Sequence, residues 1–141
     1  MNILVINGPN LNLLGTRNPE IYGSETLEEL MMWLENSTEG KKHQFKFYQS
    51  NHEGEIIDML HHEREWAQGI IINPGAYAHY SYAIRDAISS INIPTVEVHI
   101  SDINNREDFR KKLVISDVCK ATISGKGKNS YLEGLKFLIK N

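Results

Sequence analysis

The sequence predicts an α/β fold, a parallel sheet covered by helices on both faces. Two observations carry that prediction. Short apolar runs, such as Ile3-Leu4-Val5-Ile6 and Ile70-Ile71-Ile72, read as strands buried on both sides, because a helix-covered parallel sheet has no wet face. Segments with helical apolar spacing separate these runs, so strand and helix alternate along the chain.

Residues 2–7 form the first strand, stopped by Gly8-Pro9. Residues 26–37 are helical: Leu27, Leu30, Met31 and Leu34 share one face, and Thr26 with Glu29 makes a capping box. Residues 44–50 alternate in the strand period, with Phe45 and Phe47 on one side. Residues 53–67 read as a helix that includes Ile56, Ile57, Leu60 and Trp66, and residues 69–73 as a buried strand ended by Pro74-Gly75. Residues 79–92 carry an apolar stripe of Ala83, Ile84, Ala87, Ile88 and Ile91. Residues 95–100 are a strand, 105–113 a helix, 120–125 a weaker fifth strand, and 130–140 a closing helix with Leu132, Leu135, Leu138 and Ile139. Right-handed crossovers then favour a flavodoxin-like three-layer sandwich with strand order 2-1-3-4-5.

The 141 residues, 40% hydrophobic and 23% charged, fit one globular domain spanning 1–141. A net charge of −3 gives no reason to expect nucleic acid or an anionic membrane as a partner. Cys119 is the only cysteine, so neither an internal disulfide nor a cysteine-based zinc site is expected. No run is long enough to span a bilayer and no basic leader precedes the first strand, so a soluble, cytoplasmic protein is expected.

In this architecture ligands bind beyond the carboxyl ends of the strands. The Gly8–Gly23 stretch is long for a strand-to-helix connection. It reads either as a plain surface loop or as a lid carrying Asn10, Arg17 and Tyr22 with glycines as pivots. A guanidinium beside a phenol favours the phenolate, which would make an Arg17–Tyr22 pair chemically useful. The third strand ends at Asn73, whose amide offers both donor and acceptor, although a plain turn before a helix explains the same residues. The fourth strand places Val96, Val98 and Ile100 on one face and Glu97, His99 and Ser101 on the other. Either it is an edge strand with one wet side, or Glu97 is a partner that orients His99 as a general acid.

Several runs occur in order: GPNLNLLGTRNPEIYG (8–23), QSNHEGE (49–55), NPGAYAH (73–79) with Arg85-Asp86, VEVHIS (96–101), and Glu107-Asp108-Phe109-Arg110. Together they closely resemble type II 3-dehydroquinate dehydratase, over essentially the whole chain. The resemblance implies a cytoplasmic dodecamer, built as a tetramer of trimers. It implies a trans elimination of water from 3-dehydroquinate, without metal or cofactor, in the shikimate pathway of aromatic amino acid biosynthesis or in quinate breakdown. By motif position, Tyr22 would be the base and Arg17 would hold it as phenolate. Asn10 would help stabilise the enolate, His99 would be the general acid and Glu97 would orient it. Asn73 and the backbone amides near Ile100 and Ser101 would hold the substrate carboxylate. His79 and Arg110 would bind ring hydroxyls, and Asp86 would reach a neighbouring subunit's site. The chain departs from the common pattern at Ala78 and Tyr80, which flank His79, and at Asp102. A ring-acid-binding member of the same fold without turnover is the alternative that these departures leave open. A receiver domain would need acidic residues where Asn7-Gly8 and Asn73-Pro74 stand, and a flavin binder a Ser/Thr-rich first loop.

Overall fold

A computed structural model describes residues 1–16 and 19–141, with the side chains of 21 and 22 left out. Five strands form one all-parallel sheet in the order β2-β1-β3-β4-β5. They are β1 (Asn2–Asn7), β2 (Gln44–Gln49), β3 (Gly69–Asn73), β4 (Thr95–His99) and β5 (Ala121–Ser124). The helices are α1 (Pro19–Tyr22), α2 (Leu27–Glu35), α3 (Glu53–His62), α4 (Tyr82–Ile91) and α5 (Asn129–Lys140). The predicted flavodoxin-like order is therefore the one adopted. Among the described residues, no helix is long and apolar enough to cross a membrane.

Strand pleating sorts the apolar side chains into two cores. Ile3, Val5, Ile71, Val96 and Val98 pack with α2 and α5 on one face. Leu4, Ile6, Ile70 and Ile72 pack with α3 and α4 on the other. The second face of β4 differs: where β1 and β3 carry Leu or Ile, it carries the buried residues Thr95, Glu97 and His99. With β5 paired outside it, β4 is not an edge strand, which removes the wet-face reading.

Several predicted boundaries move, each for a local reason. The capping box at Thr26 and Glu29 forms as expected, with Glu29 N–H donating to Thr26 Oγ1 at 3.1 Å. The helix predicted over 53–67 stops at His62, because the next residue, Glu63, is buried and accepts from Tyr48 Oη (2.6 Å) and Lys46 Nζ (2.9 Å). Trp66 therefore lies beyond the helix, where it packs against the second core and under the Lys46 ammonium. The helix predicted from 79 starts at Tyr82: Gly75–His79 is a 3-10 turn, and Ser81 caps α4 by accepting from the Ile84 N–H at 3.0 Å. No α-helix forms over 105–113. Two 3-10 turns, Ile103–Asn105 and Asp108–Lys111, replace it, and Phe109 stays exposed, so this segment has too little apolar face to dock a helix on the sheet. In α5 the buried stripe is Tyr131, Leu135 and Leu138, while Ile139 is exposed.

In the described part of the long first connection, apolar residues anchor the chain to the sheet. Leu11, in the 3-10 turn Leu11–Leu13, and Leu14 are both buried in the first core. Gly8 acts through close approach rather than as a pivot. A Cβ there would lie 2.5 Å from the Pro74 carbonyl oxygen, so only glycine lets the ends of β1 and β3 meet.

Candidate active site

A polar cleft opens at the carboxyl ends of β1, β3 and β4. Asn10, Asn73, His79, His99, Ile100, Ser101 and Arg110, each a candidate from the sequence, all line it. Residues from four stretches of chain are thus brought to one place by the parallel sheet, whose strands all end on the same side.

The centre of the cleft is a buried pair on β4. His99 Nε2 lies 2.6 Å from Glu97 Oε2. The strand period places residues two apart on the same face, so β4 itself sets this contact. The other carboxylate oxygen, Oε1, accepts from Ser116 Oγ at 2.7 Å. Ser116 sits in the 3-10 turn Ser116–Val118 on the way to β5. Glu97 is fully buried, and partners on both oxygens offset the desolvation of its charge. A carboxylate accepts, so Nε2 carries the proton, and Nδ1 is the nitrogen His99 can use toward a ligand.

His79 stands beside His99, with ring centroids 6.5 Å apart. Its Nδ1 is 2.8 Å from the Lys112 carbonyl oxygen, which can only accept, so Nδ1 is protonated and Nε2 is the free-valence nitrogen. Burial holds His79 below the usual histidine range, opposed in part by the Lys112 carbonyl. The Phe109 ring meets it edge-on at 5.6 Å and carries the Arg110 guanidinium 4.7 Å above its face. Arg110 Nε also donates to Glu107 Oε2 at 3.2 Å. Asn10, in the left-handed region at φ 70°, is pinned by its backbone N–H donating to Asn51 Oδ1 at 3.0 Å. Asn73 Oδ1 accepts from the Gly75 N–H at 3.2 Å, and its Nδ2 donates to Tyr131 Oη at 2.9 Å.

Other expected residues fall elsewhere. Asp86 is exposed on α4 and is not part of this chain's cleft lining. Arg17 lies outside the described residues, as does the Tyr22 side chain, so their pairing is not placed. Arg106 lines the cleft, with Nη1 donating to Ser101 Oγ at 3.4 Å, and sequence reasoning missed it. The signal was its position just before the Glu107–Arg110 run. Ser116 and Tyr131 were missed as well. Nothing local marks Ser116, whereas Tyr131 precedes Leu135 and Leu138 at helical spacing, which predicts burial.

The three departures near the cleft stay out of it. Ala78 is buried, with its carbonyl accepting from the Val114 N–H at 2.9 Å, and Tyr80 is exposed. The Asp102 carboxylate accepts from the Asn104 N–H (3.1 Å) and Asn105 Nδ2 (2.7 Å), and so caps its own turn. His61 and His62 are exposed on α3, as a solvated helix face requires. His52 holds the cap position of α3 without a side-chain bond, while Glu53 accepts from Ser81 Oγ at 2.5 Å. Burial pushes the Cys119 thiol up to about 12, which makes it a poor nucleophile.

The cleft gathers the Arg106 and Arg110 guanidiniums and two imidazole rings in a chain of net charge −3. It is built to receive a small anion with several oxygens, next to a carboxylate-backed histidine able to move a proton. The family model described as "Dehydroquinase class II" matches residues 1–139. The chain is 54% identical to the 3-dehydroquinate dehydratase of Caldicellulosiruptor bescii over 94% of this chain and 92% of that one. It is 54% identical to that of Trichodesmium erythraeum over 98% and 92%. The crystal structure of type II dehydroquinase from Butyrivibrio crossotus superposes with a TM-score of 0.95 at 48% identity, over 99% of this chain and 97% of that one. Sequence, sheet order and cleft agree: the chain belongs to the class II dehydroquinase family.

Proposed function

We propose that this protein is a 3-dehydroquinate dehydratase, a hydro-lyase that removes water from 3-dehydroquinate by trans elimination to give 3-dehydroshikimate. Family membership and relatives near 50% identity over nearly the full length support the activity. The buried Glu97–His99 pair at the centre of a cleft lined by two arginines is the observation that carries the chemistry.

In this reading a base takes the proton next to the ketone, and the electron pair moves onto the ketone oxygen as an enolate. Collapse of the enolate expels the ring hydroxyl, which leaves as water once His99 gives it a proton. Glu97 orients the imidazole and stabilises its cationic form, and such general acid catalysis contributes roughly 10²–10⁴-fold. Tyr22 is the proposed base, with Arg17 favouring its phenolate. Asn10 stabilises the enolate through a bound water. Asn73 and the amides of Ile100 and Ser101 hold the carboxylate, and His79 and Arg110 bind ring hydroxyls. The whole chain, 1–141, acts as one catalytic domain.

We further infer that the working unit is a cytoplasmic dodecamer. The exposure of Asp86, away from its own cleft, supports a role in a neighbour's site.

Adding 3-dehydroquinate to the purified protein tests the function. The conjugated enone of the product is expected to raise the ultraviolet absorbance, and a folded, assembled protein that produces no enone would sink the proposal.

A further inference from the structure

Tyr131 of α5 lies fully buried in the first core and carries a polar hydroxyl into it. Its hydroxyl stands between two asparagines that are paired neighbours at the ends of β1 and β3, Asn7 and Asn73. It donates to Asn7 Oδ1 at 2.6 Å and accepts from Asn73 Nδ2 at 2.9 Å.

The direction of these bonds follows from Gly75. A backbone N–H can only donate, so the atom of Asn73 facing Gly75 must be Oδ1. Nδ2 then points at Tyr131, whose oxygen must accept, and the phenolic proton goes to Asn7. Burial pushes the Tyr131 phenol well above its ordinary range, so that proton stays in place at any working pH. One Asn73 N–H is spent on Tyr131, and the other is what the amide can offer an acceptor in the cleft.

We propose that Tyr131 is a positioning residue that sets the orientation of the Asn73 amide toward the substrate's carboxylate or hydroxyl oxygen. The inference rests on the reading of Asn73 as a substrate-binding residue. Without the phenol, Nδ2 loses its acceptor and Asn7 Oδ1 its donor, and the Asn73 amide can turn toward Asn7 and leave the orientation that serves the cleft.

Steady-state kinetics of Tyr131→Phe, Asn73→Ala and the double variant test it. Tyr131→Phe keeps the ring and is expected to raise KM up to about tenfold, the effect of one hydrogen bond, while kcat moves less than about twofold. In the Asn73→Ala background the same change is expected to leave KM where Asn73→Ala alone puts it. A Tyr131→Phe protein that melts lower but keeps the wild-type KM, while Asn73→Ala raises it, overturns the inference and leaves Tyr131 as glue between helix and sheet. Additive effects in the double variant overturn it too. An unchanged KM in Asn73→Ala overturns both the Asn73 assignment and this inference, while the dehydratase activity stands. A wild-type protein without activity overturns the functional reading itself. If Tyr131→Phe fails to fold, Asn7→Ala removes the acceptor that aims the phenol, and a raised KM is expected there as well; an unchanged KM overturns the inference.

Discussion

Glu97 and His99 meet at 2.6 Å inside β4, a strand with all five residues buried and a neighbour on either side. An isolated carboxylate there would be expensive, so its two partners, His99 and Ser116, are what make the position tenable. Replacing Glu97 by Gln keeps shape and removes charge. We expect Glu97→Gln to fold and to lose on the order of 10²-fold in kcat, the lower end for a general acid that has lost its orienting charge. Circular dichroism and the enone assay together check this, and near-wild-type turnover would reject the orienting role.

His99→Ala and Tyr22→Phe are each expected to cost several orders of magnitude in turnover, about 10²–10⁴-fold for each lost acid or base. Both proteins should retain the circular dichroism spectrum of the parent. If Tyr22→Phe turns over like wild type, the base is another group.

His79 gives a signed pH prediction for stability. Burial lowers its pKa in the folded state, so the unfolded chain binds the proton more readily. The contribution is complete above the unfolded value of about 6.5 and is lost as pH falls from there through the lower folded value. Melting temperature should therefore fall with pH in that window. His79→Asn, which can still donate to the Lys112 carbonyl, is expected to flatten the decline. An identical slope in the variant would show that other groups carry it.

Asp86→Ala should leave the melting temperature within a degree or two, because the side chain is exposed. If Asp86 serves a neighbour's cleft, the variant loses activity, and co-expression with a His99→Ala subunit restores part of it. Some clefts in such a mixed assembly hold a wild-type His99 and a wild-type neighbour's Asp86. Mixed assemblies no more active than the parents would place Asp86 outside any site.

Gly8→Ala should destabilise the fold, since its Cβ would meet the Pro74 carbonyl at 2.5 Å and that backbone is tied to Gly8 by the 2.8 Å bond from the Gly8 N–H to the Asn73 carbonyl. Overpacking of this kind costs roughly 1–3 kcal/mol. Thermal melts are the check, with a drop of about 2–4 °C expected per kcal/mol at this chain size.

The sequence alone determined the strand order, both core faces and most of the cleft lining. Strand order and core faces rest on local periodicity and on a rule of architecture, that apolar runs mark buried strands and parallel strands end on one side; the cleft lining rests in part on the motifs of the family resemblance. Seven residues read from strand ends and motifs do meet in one cleft. Only the tertiary structure decided the rest. Whether β4 was an edge strand depended on β5 pairing outside it, a contact between distant segments. Ser116 on Glu97, Tyr131 on Asn73 and Arg106 on Ser101 involve one or two side-chain bonds each, and no spacing announces them. Strand period could place Glu97 beside His99; Ser116, Tyr131 and Arg106 come from wherever the folded chain brings a polar group within hydrogen-bond reach.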